Sequence, residues 1–167
     1  MRNAFFESFD NATHFVFLDI DGVLNEFGGK NVWGDVERHR LSPFGEGPFL
    51  LDLSKKQAQG VKALGGQIIW TTTWQDESWM VGEIVGIDAP FLDLERPGWK
   101  RQSVETFLRH NTRPFVWFED ETGPYGTFNS RPLHDLEGLV VNTNALTGIT
   151  QADIMRASDW LQERNLL

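Results

Sequence analysis

The sequence predicts an α/β protein whose central sheet is mostly parallel. Short apolar segments typical of buried strands, such as QIIW at residues 67–70, alternate along the chain with segments of helical periodicity. This order favours parallel neighbours in one sheet, because each helix carries the chain back to the edge where the previous strand began. The length of 167 residues fits one domain of ordinary size, and we expect that domain to span residues 1–167.

Four apolar segments are predicted to form strands and four amphipathic segments to form helices. The expected strands are residues 14–20, 67–70, 113–118 and 138–144, with a short strand or extended segment at 89–94. The expected helices are residues 52–64, 77–86 and 99–111, and a C-terminal helix that Thr150 caps. Residues 25–49 are rich in Gly and Pro, and we expect them to form a long irregular insertion with a small hairpin.

Composition excludes several classes of function. The absence of cysteine excludes disulfides, thiolate zinc sites and cysteine nucleophiles. With four histidines, a metal would be bound mainly by oxygen ligands. The net charge of −9 argues against strong non-specific nucleic-acid binding, which needs surplus Lys and Arg. No apolar run approaches the roughly 18 residues of a membrane span, and the N-terminus does not resemble a signal peptide. We expect a cytoplasmic protein with no membrane partner.

Charged and hydroxyl side chains follow three of the predicted strands. Asp19 and Asp21 end the first strand, Thr71–Thr73 follow the second and Glu119–Glu121 follow the third. Lys100 lies at the start of the helix that precedes the third strand. The carboxyl ends of parallel strands share one edge of the sheet, where ligands of open α/β folds bind. We therefore expect these side chains to converge on one site.

Such a set of side chains meets the chemical needs of phosphoryl transfer. One Asp can attack phosphorus and form an aspartyl-phosphate, and a second can protonate the leaving oxygen and later deprotonate water. Gathered carboxylates can hold Mg²⁺, which offsets their mutual repulsion. A hydroxyl group and an ammonium group can bind the remaining phosphoryl oxygens.

Four segments resemble the motifs of the haloacid dehalogenase (HAD) superfamily of phosphohydrolases. FLDIDGVLN resembles the D-x-D-G motif, IIWTTTW the second motif, WK at 99–100 the third, and FVWFEDE the fourth, all in the family order. IIWTTTW and TNALTGIT, at residues 143–150, are also similar to segments of a small, nearly capless bacterial and phage subgroup. That subgroup has been proposed to process ends in RNA repair. The resemblance implies a HAD-like Rossmannoid three-layer sandwich with a minimal cap.

The resemblance also implies catalytic roles for the matching residues. Asp19 would be the nucleophile and Asp21 the general acid and base. Lys100 would stabilise the phosphoryl charge and the Asp19 carboxylate. Among the three threonines, Thr72 best fits the motif spacing and Thr73 is the alternative, since alternation along a strand turns Thr71 to the opposite side.

The same resemblance implies a Mg²⁺ site formed by Asp19, the backbone carbonyl of Asp21 and Asp120, with Glu119 beside them. Glu119 stands where the family usually has Asp, and its extra methylene leaves the metal preference open. Asp21 favours a phosphatase, because the dehalogenase and phosphonatase branches lack an Asp at that position.

The segments between the motifs are too short for a full cap domain, which favours an open site and a phosphate on a large molecule such as a nucleic-acid end. The negative net charge fits a nucleotide or a small phosphoester equally well. The 25–49 insertion, with Lys30, Trp33, Arg38 and Arg40, is expected to set specificity. The alternative function is a catalytically silent HAD-like module that binds a protein partner. A nucleotide kinase is disfavoured, because the chain has no G-x-x-x-x-G-K-(S/T) loop.

Overall fold

The computed structural model describes residues 2–94, 100–120 and 136–167. Its strands are β1 (Phe15–Leu18), β2 (Glu37–Leu41), β3 (Phe49–Leu53), β4 (Gln67–Trp70), β5 (Phe115–Glu119) and β6 (Gly138–Asn142). Its helices are α1 (Lys55–Ala63), α2 (Trp79–Val85), α3 (Lys100–His110) and α4 (Gln151–Gln162). Within these residues, β4, β1, β5 and β6 pair in that order, all parallel, while β2 and β3 form a separate antiparallel pair.

Alternation along the strands divides the core between the two faces of the parallel sheet. Phe15 and Phe17 of β1 pack with Phe107 of α3 on one face. Val16 and Leu18 belong to the core on the other face, together with apolar side chains of α1, α2, α4 and β3. Helices therefore cover both faces of a buried parallel sheet. The predicted α/β class and the HAD-like Rossmannoid arrangement are confirmed.

The predicted insertion contains a β-hairpin, and the prediction of a helix from residue 52 was wrong at its start. Leu51 and Leu53 are both buried, so this segment has the period of a strand, and Leu53 pairs with Glu37 of β2. Helix α1 begins only after Ser54, whose hydroxyl accepts a hydrogen bond from the Gln57 N–H. The hairpin thus uses four residues beyond the predicted end of the insertion, residues 50–53.

The other predicted elements lie close to their expected positions. β4 has the predicted bounds, and Thr150 caps α4 through a reciprocal capping box with Asp153. Phe91, in the segment expected to be extended, bridges to Trp70 at the end of β4 and to Asn3 on its other side. Among the helices of the described segments, none combines the length and the apolar character that crossing a bilayer requires.

Candidate active site

The register of the sheet brings the ends of three strands to one level. Leu18 pairs with Trp70 of β4 and with Phe118 of β5. The residues that follow, Asp19 and Glu119 among them, therefore lie together at the carboxyl edge. Lys100, the first residue of α3, reaches the same place, and its ammonium group contacts both carboxylates.

Asp19 is buried and held by a side-chain cation and a backbone N–H. The Lys100 ammonium donates to Oδ2, and the Ile20 N–H donates to Oδ1 over 2.7 Å. The Thr72 side chain lies close enough to the carboxylate to favour its ionised form. Only 4% of Asp19 is exposed. Burial and these contacts fix the carboxylate in position.

Lys100 joins Asp19 to Glu119 in one ion triad. Its Nζ lies 3.1 and 3.0 Å from the two oxygens of Glu119, which is fully buried. Burial alone would lower the pKa of Lys100, but the two carboxylates outweigh it and raise that pKa above its ordinary value. Burial raises the pKa of Asp19, while Lys100, the Ile20 N–H and the Thr72 hydroxyl oppose that rise.

Asp21 lies two residues further on and is only half-buried. Its Oδ1 accepts the Asn25 Nδ2–H and its Oδ2 accepts the Trp74 Nε1–H, each over 2.9 Å. Each oxygen thus has one neutral N–H donor. Within the part of the chain that the structure describes, these neutral donors fix the orientation of the carboxyl group.

Gly22 and Asp120 occupy adjoining space. Gly22 has a φ of +70°, and a Cβ built on it would lie 2.1 Å from Oδ2 of Asp120. The Thr143 hydroxyl donates to the Gly22 carbonyl over 3.0 Å, and the Thr143 N–H donates to the Glu119 carbonyl over 2.9 Å. Glycine at position 22 therefore allows both the turn and the approach of the Asp120 carboxylate.

The residues at this edge fit a divalent cation. Asp19, Glu119 and Asp120 can each offer a carboxylate oxygen within 4.8 Å of the others. They carry three negative charges, against which Lys100 supplies one positive charge, and oxygen ligands suit Mg²⁺. Both Glu119 oxygens already accept from Lys100, so Asp19 and Asp120 are the better placed ligands. The Asp21 side chain is outside this group of three.

The three threonines have different surroundings. Thr72 is buried beside Asp19. Thr71 is buried too, but its hydroxyl donates to the Ile69 carbonyl, while Thr73 is exposed. Of the three, Thr72 is the one that lies beside Asp19. Trp99 and Glu121, also part of the predicted motifs, lie outside the described residues.

Two residues of the predicted specificity insertion have partners away from the strand-end carboxylates. The Trp33 indole N–H donates to the Ile149 carbonyl over 2.7 Å, and its ring lies beside Gly60 of α1. Arg38 forms a two-bond ion pair with Asp52 across the hairpin. Lys30 and Arg40 are exposed.

Sequence reasoning missed Asn25, Trp74 and Thr143 as site residues. Asn25 stands at the end of the quoted FLDIDGVLN segment and Trp74 at the end of IIWTTTW. Thr143 begins TNALTGIT. Membership of these motif segments was the available signal, but neutral side chains gave no electrostatic reason to place them at the site.

A parallel α/β fold with a buried aspartate, lysine and acidic pair at its carboxyl edge is the arrangement that the HAD motifs of the sequence imply, and membership of such a family supports a phosphohydrolase-type function in general. Residues 15–154 match the family described as the HAD domain in Swiss Army Knife RNA repair proteins, and the chain belongs to that family. A search of curated proteins and a search of solved structures each found no match.

Proposed function

We propose that this protein is a Mg²⁺-dependent phosphatase that hydrolyses a phosphomonoester through an aspartyl-phosphate on Asp19. The observation that carries the proposal is the setting of Asp19, which is buried, oriented by Lys100 and the Ile20 N–H, and followed two residues later by an oriented second acid. A nucleophile gains from being held in the geometry of attack.

In the first half-reaction, a carboxylate oxygen of Asp19 attacks phosphorus and the ester P–O bond breaks. The Asp21 carboxyl group gives its proton to the leaving oxygen, which departs as an alcohol. In the second half-reaction, the Asp21 carboxylate takes a proton from water as the water oxygen attacks phosphorus. The acyl-phosphate P–O bond breaks, inorganic phosphate leaves, and Asp19 is restored.

Lys100 and Thr72 stabilise charge on the phosphoryl oxygens from the side of the nucleophile. Asp19, Asp120 and the backbone carbonyl of Asp21 would hold Mg²⁺, with Glu119 as the charge partner of Lys100. When bound, Mg²⁺ neutralises the phosphoryl oxygens and the acidic group around them.

For the substrate, we propose a phosphate on a nucleotide or a nucleic-acid end, processed in the cytoplasm of a bacterium or a phage-infected cell. Membership of a family described from RNA repair proteins supports this class. The net charge of −9 argues that recognition depends on the phosphate and its neighbouring groups, because backbone contacts along a polymer need surplus positive charge. We propose that a single domain spanning residues 1–167 performs this reaction.

The test is phosphate release from p-nitrophenyl phosphate, with Mg²⁺ and with EDTA, by the wild type and by Asp19→Asn. Asp88→Asn is the matched control, since the Asp88 side chain is exposed. We expect turnover that needs Mg²⁺, is lost in Asp19→Asn and is kept in Asp88→Asn. No turnover on aryl phosphate, nucleotides or phosphorylated oligonucleotides with any divalent metal would reject the proposal in favour of the silent binding module.

A further inference from the structure

We infer that the β2–β3 hairpin positions the acid and base Asp21, and that it does so through Trp74 and Asn25. The inference rests on the proposed function, because it assigns a task within that reaction. It changes the role of the insertion: besides any contact with substrate, the hairpin orients a side chain of the catalytic site.

The first connection runs through Trp74. Its Nε1–H donates to Oδ2 of Asp21 over 2.9 Å, and only 6% of the residue is exposed. The ring of Phe49, the first residue of β3, lies 6.2 Å from the indole, centroid to centroid. Phe49 lies on the same face of β3 as the buried Leu51 and Leu53, since alternate residues share a face. The inner face of the hairpin therefore extends from the core to the indole.

The second connection runs through Asn25, which is 3% exposed. Its Oδ1 accepts the backbone N–H of Asp52, in β3, over 2.9 Å. Its Nδ2 donates to Oδ1 of Asp21 over the same distance. The Glu26 N–H also donates to the Asp52 carbonyl, so β3 is joined to the loop after β1 by a pair of hydrogen bonds. Because the Asn25 amide oxygen is held by the Asp52 N–H of β3, its amide nitrogen is directed at Asp21.

Each of the two donors binds a different oxygen of Asp21, and together they fix rotation of the carboxyl group. Each carboxyl oxygen has more than one acceptor position, so a position remains for exchanging a proton with substrate or water. Geometry matters here, since a displacement of about 1 Å in a reacting group can reduce a rate by about a hundredfold. Trp74 and Asn25 are thus positioning residues, and Phe49 and Asp52 connect them to the hairpin.

The test compares two substrates whose leaving groups need a proton to different degrees. p-Nitrophenolate departs without much protonation, whereas the alkoxide of glycerol phosphate requires it. The quantity measured is kcat/KM, which reports the steps up to departure of the leaving group and excludes hydrolysis of the aspartyl-phosphate. A purely structural defect reduces both values by the same factor.

Trp74→Phe keeps a ring and removes the N–H donor. We expect kcat/KM to fall by about tenfold for glycerol phosphate, the loss of one hydrogen bond to a charged group, and by less than about threefold for p-nitrophenyl phosphate. Trp33→Phe is the matched control, because it also removes one indole hydrogen bond, the one to the Ile149 carbonyl. It should lower both values equally or leave both unchanged.

The hairpin is tested with two phenylalanines that it exposes, Phe49 and Phe44. Phe49→Ala should show the selective loss on glycerol phosphate, and Phe44→Ala should not. In the Trp74→Phe background, Phe49→Ala should add little, because both changes act on one connection.

Equal losses on the two substrates in Trp74→Phe, or the same selective loss in Trp33→Phe, would overturn the inference. Independent, fully additive effects of Phe49→Ala and Trp74→Phe would overturn the connection through the indole. Failure of the proposed function has a different result, namely no Mg²⁺-dependent turnover by the wild type on either substrate.

Discussion

The two aspartates after β1 stand two residues apart and are held in different ways. Asp19 is buried, contacts a lysine ammonium and shares that cation with Glu119. Asp21 is half-buried and accepts hydrogen bonds only from neutral donors among the contacts described, those of Asn25 and Trp74. One carboxylate is stabilised by charge and the other is oriented by dipoles.

Under the proposed function, this difference separates two tasks. A buried nucleophile needs compensation for its charge, because desolvation is costly. An acid that must gain and lose a proton in each cycle is better held by weaker, neutral partners, since a close cation would strongly favour the ionised form. Changes on the Asp19 side should therefore affect stability and turnover together, and changes on the Asp21 side should affect turnover selectively.

Replacing Lys100 should have the largest effect. Lys100→Met leaves two buried carboxylates without their cation, and we expect the free energy of unfolding to fall by roughly 3–5 kcal/mol. Turnover should fall below detection. Denaturant unfolding and phosphate release measure the two losses. Saturating Mg²⁺ should restore part of the stability, since a cation that binds only the folded chain stabilises it.

Lys100→Arg is the control for charge alone. It should recover more of the stability than of the turnover, because the guanidinium keeps the charge but changes the contact geometry.

Since the folded pKa of Lys100 is raised, the stabilising effect of Lys100 in the wild type should be complete below the ordinary pKa of about 10.4. It should be lost only as the pH rises through the folded value. A Lys100→Met variant as stable as the wild type at pH 7 would contradict the ion-triad description.

Gly22 lies between Asp21 and the Asp120 carboxylate. Replacing it tests whether Asp120 shares a metal site with Asp19. Gly22→Ala introduces strain at a φ of +70° and places a methyl group 2.1 Å from the Asp120 carboxylate. Gly34→Ala is a matched control, with a φ of +76° and open space around the added methyl. Each should lose about 1–2 kcal/mol of stability from backbone strain.

Only Gly22→Ala should also raise the Mg²⁺ concentration needed for half-maximal turnover, by about tenfold or more. Titration of turnover with Mg²⁺ is the measurement. An unchanged Mg²⁺ requirement would exclude Asp120 from the metal site.

The surroundings of Asp19, which are formed by the strand ends, could be predicted from the sequence. Asp19, Lys100 and Glu119 are charged residues beside apolar segments, and parallel strands must end at one edge. Thr72 followed from motif spacing. Strand β4 could be bounded because Gly65 and Gly66 precede it and the threonines follow it.

The Asp21 side could not be predicted in the same way. Its donors are neutral, and Trp74 is 53 residues away in the sequence, so its contact depends on tertiary packing. The sequence prediction assigned part of strand β3 to helix α1, because LLDL directly precedes a helical segment. A run of four residues is too short to distinguish the period of a strand from that of a helix. Without β3, the contacts of Phe49 and Asp52 with the site could not be anticipated.

His14, at the opposite end of β1, provides a comparison without site chemistry. Its ring is buried and hydrogen-bonded to the Thr13 hydroxyl and the Leu64 carbonyl. Burial lowers the pKa of His14, and the Leu64 carbonyl only partly opposes this. The contribution of neutral His14 to the free energy of unfolding is therefore complete above the unfolded pKa of about 6.5. It is lost as the pH falls through the lower folded value.

In His14→Gln this pH dependence should disappear. The difference in unfolding free energy between wild type and variant should change by no more than about 1.4 kcal/mol per pH unit, the limit for one proton. Thermal or denaturant unfolding between pH 7.5 and 5 measures it. The ratio of kcat/KM between aryl and alkyl phosphates should not change, and a changed ratio would mean that the sheet carries effects from one end of β1 to the other.

The smallest effect is expected from Arg38, the partner of Asp52 across the hairpin. Arg38 is largely exposed, and its guanidinium hydrogen bonds lower the pKa of Asp52. This stabilisation is present above the ordinary Asp pKa and is lost as the pH falls through the lowered value. Arg38→Gln should lower Tm by no more than about 2 °C at pH 7, and less in high salt.

Arg38→Gln leaves the hydrogen bond from the Asp52 backbone N–H to Asn25 in place, so the ratio of kcat/KM between aryl and alkyl phosphates should stay constant. A shift of that ratio as large as in Trp74→Phe would show that the ion pair also sets the position of β3, and the hairpin would then orient Asp21 through both of its faces.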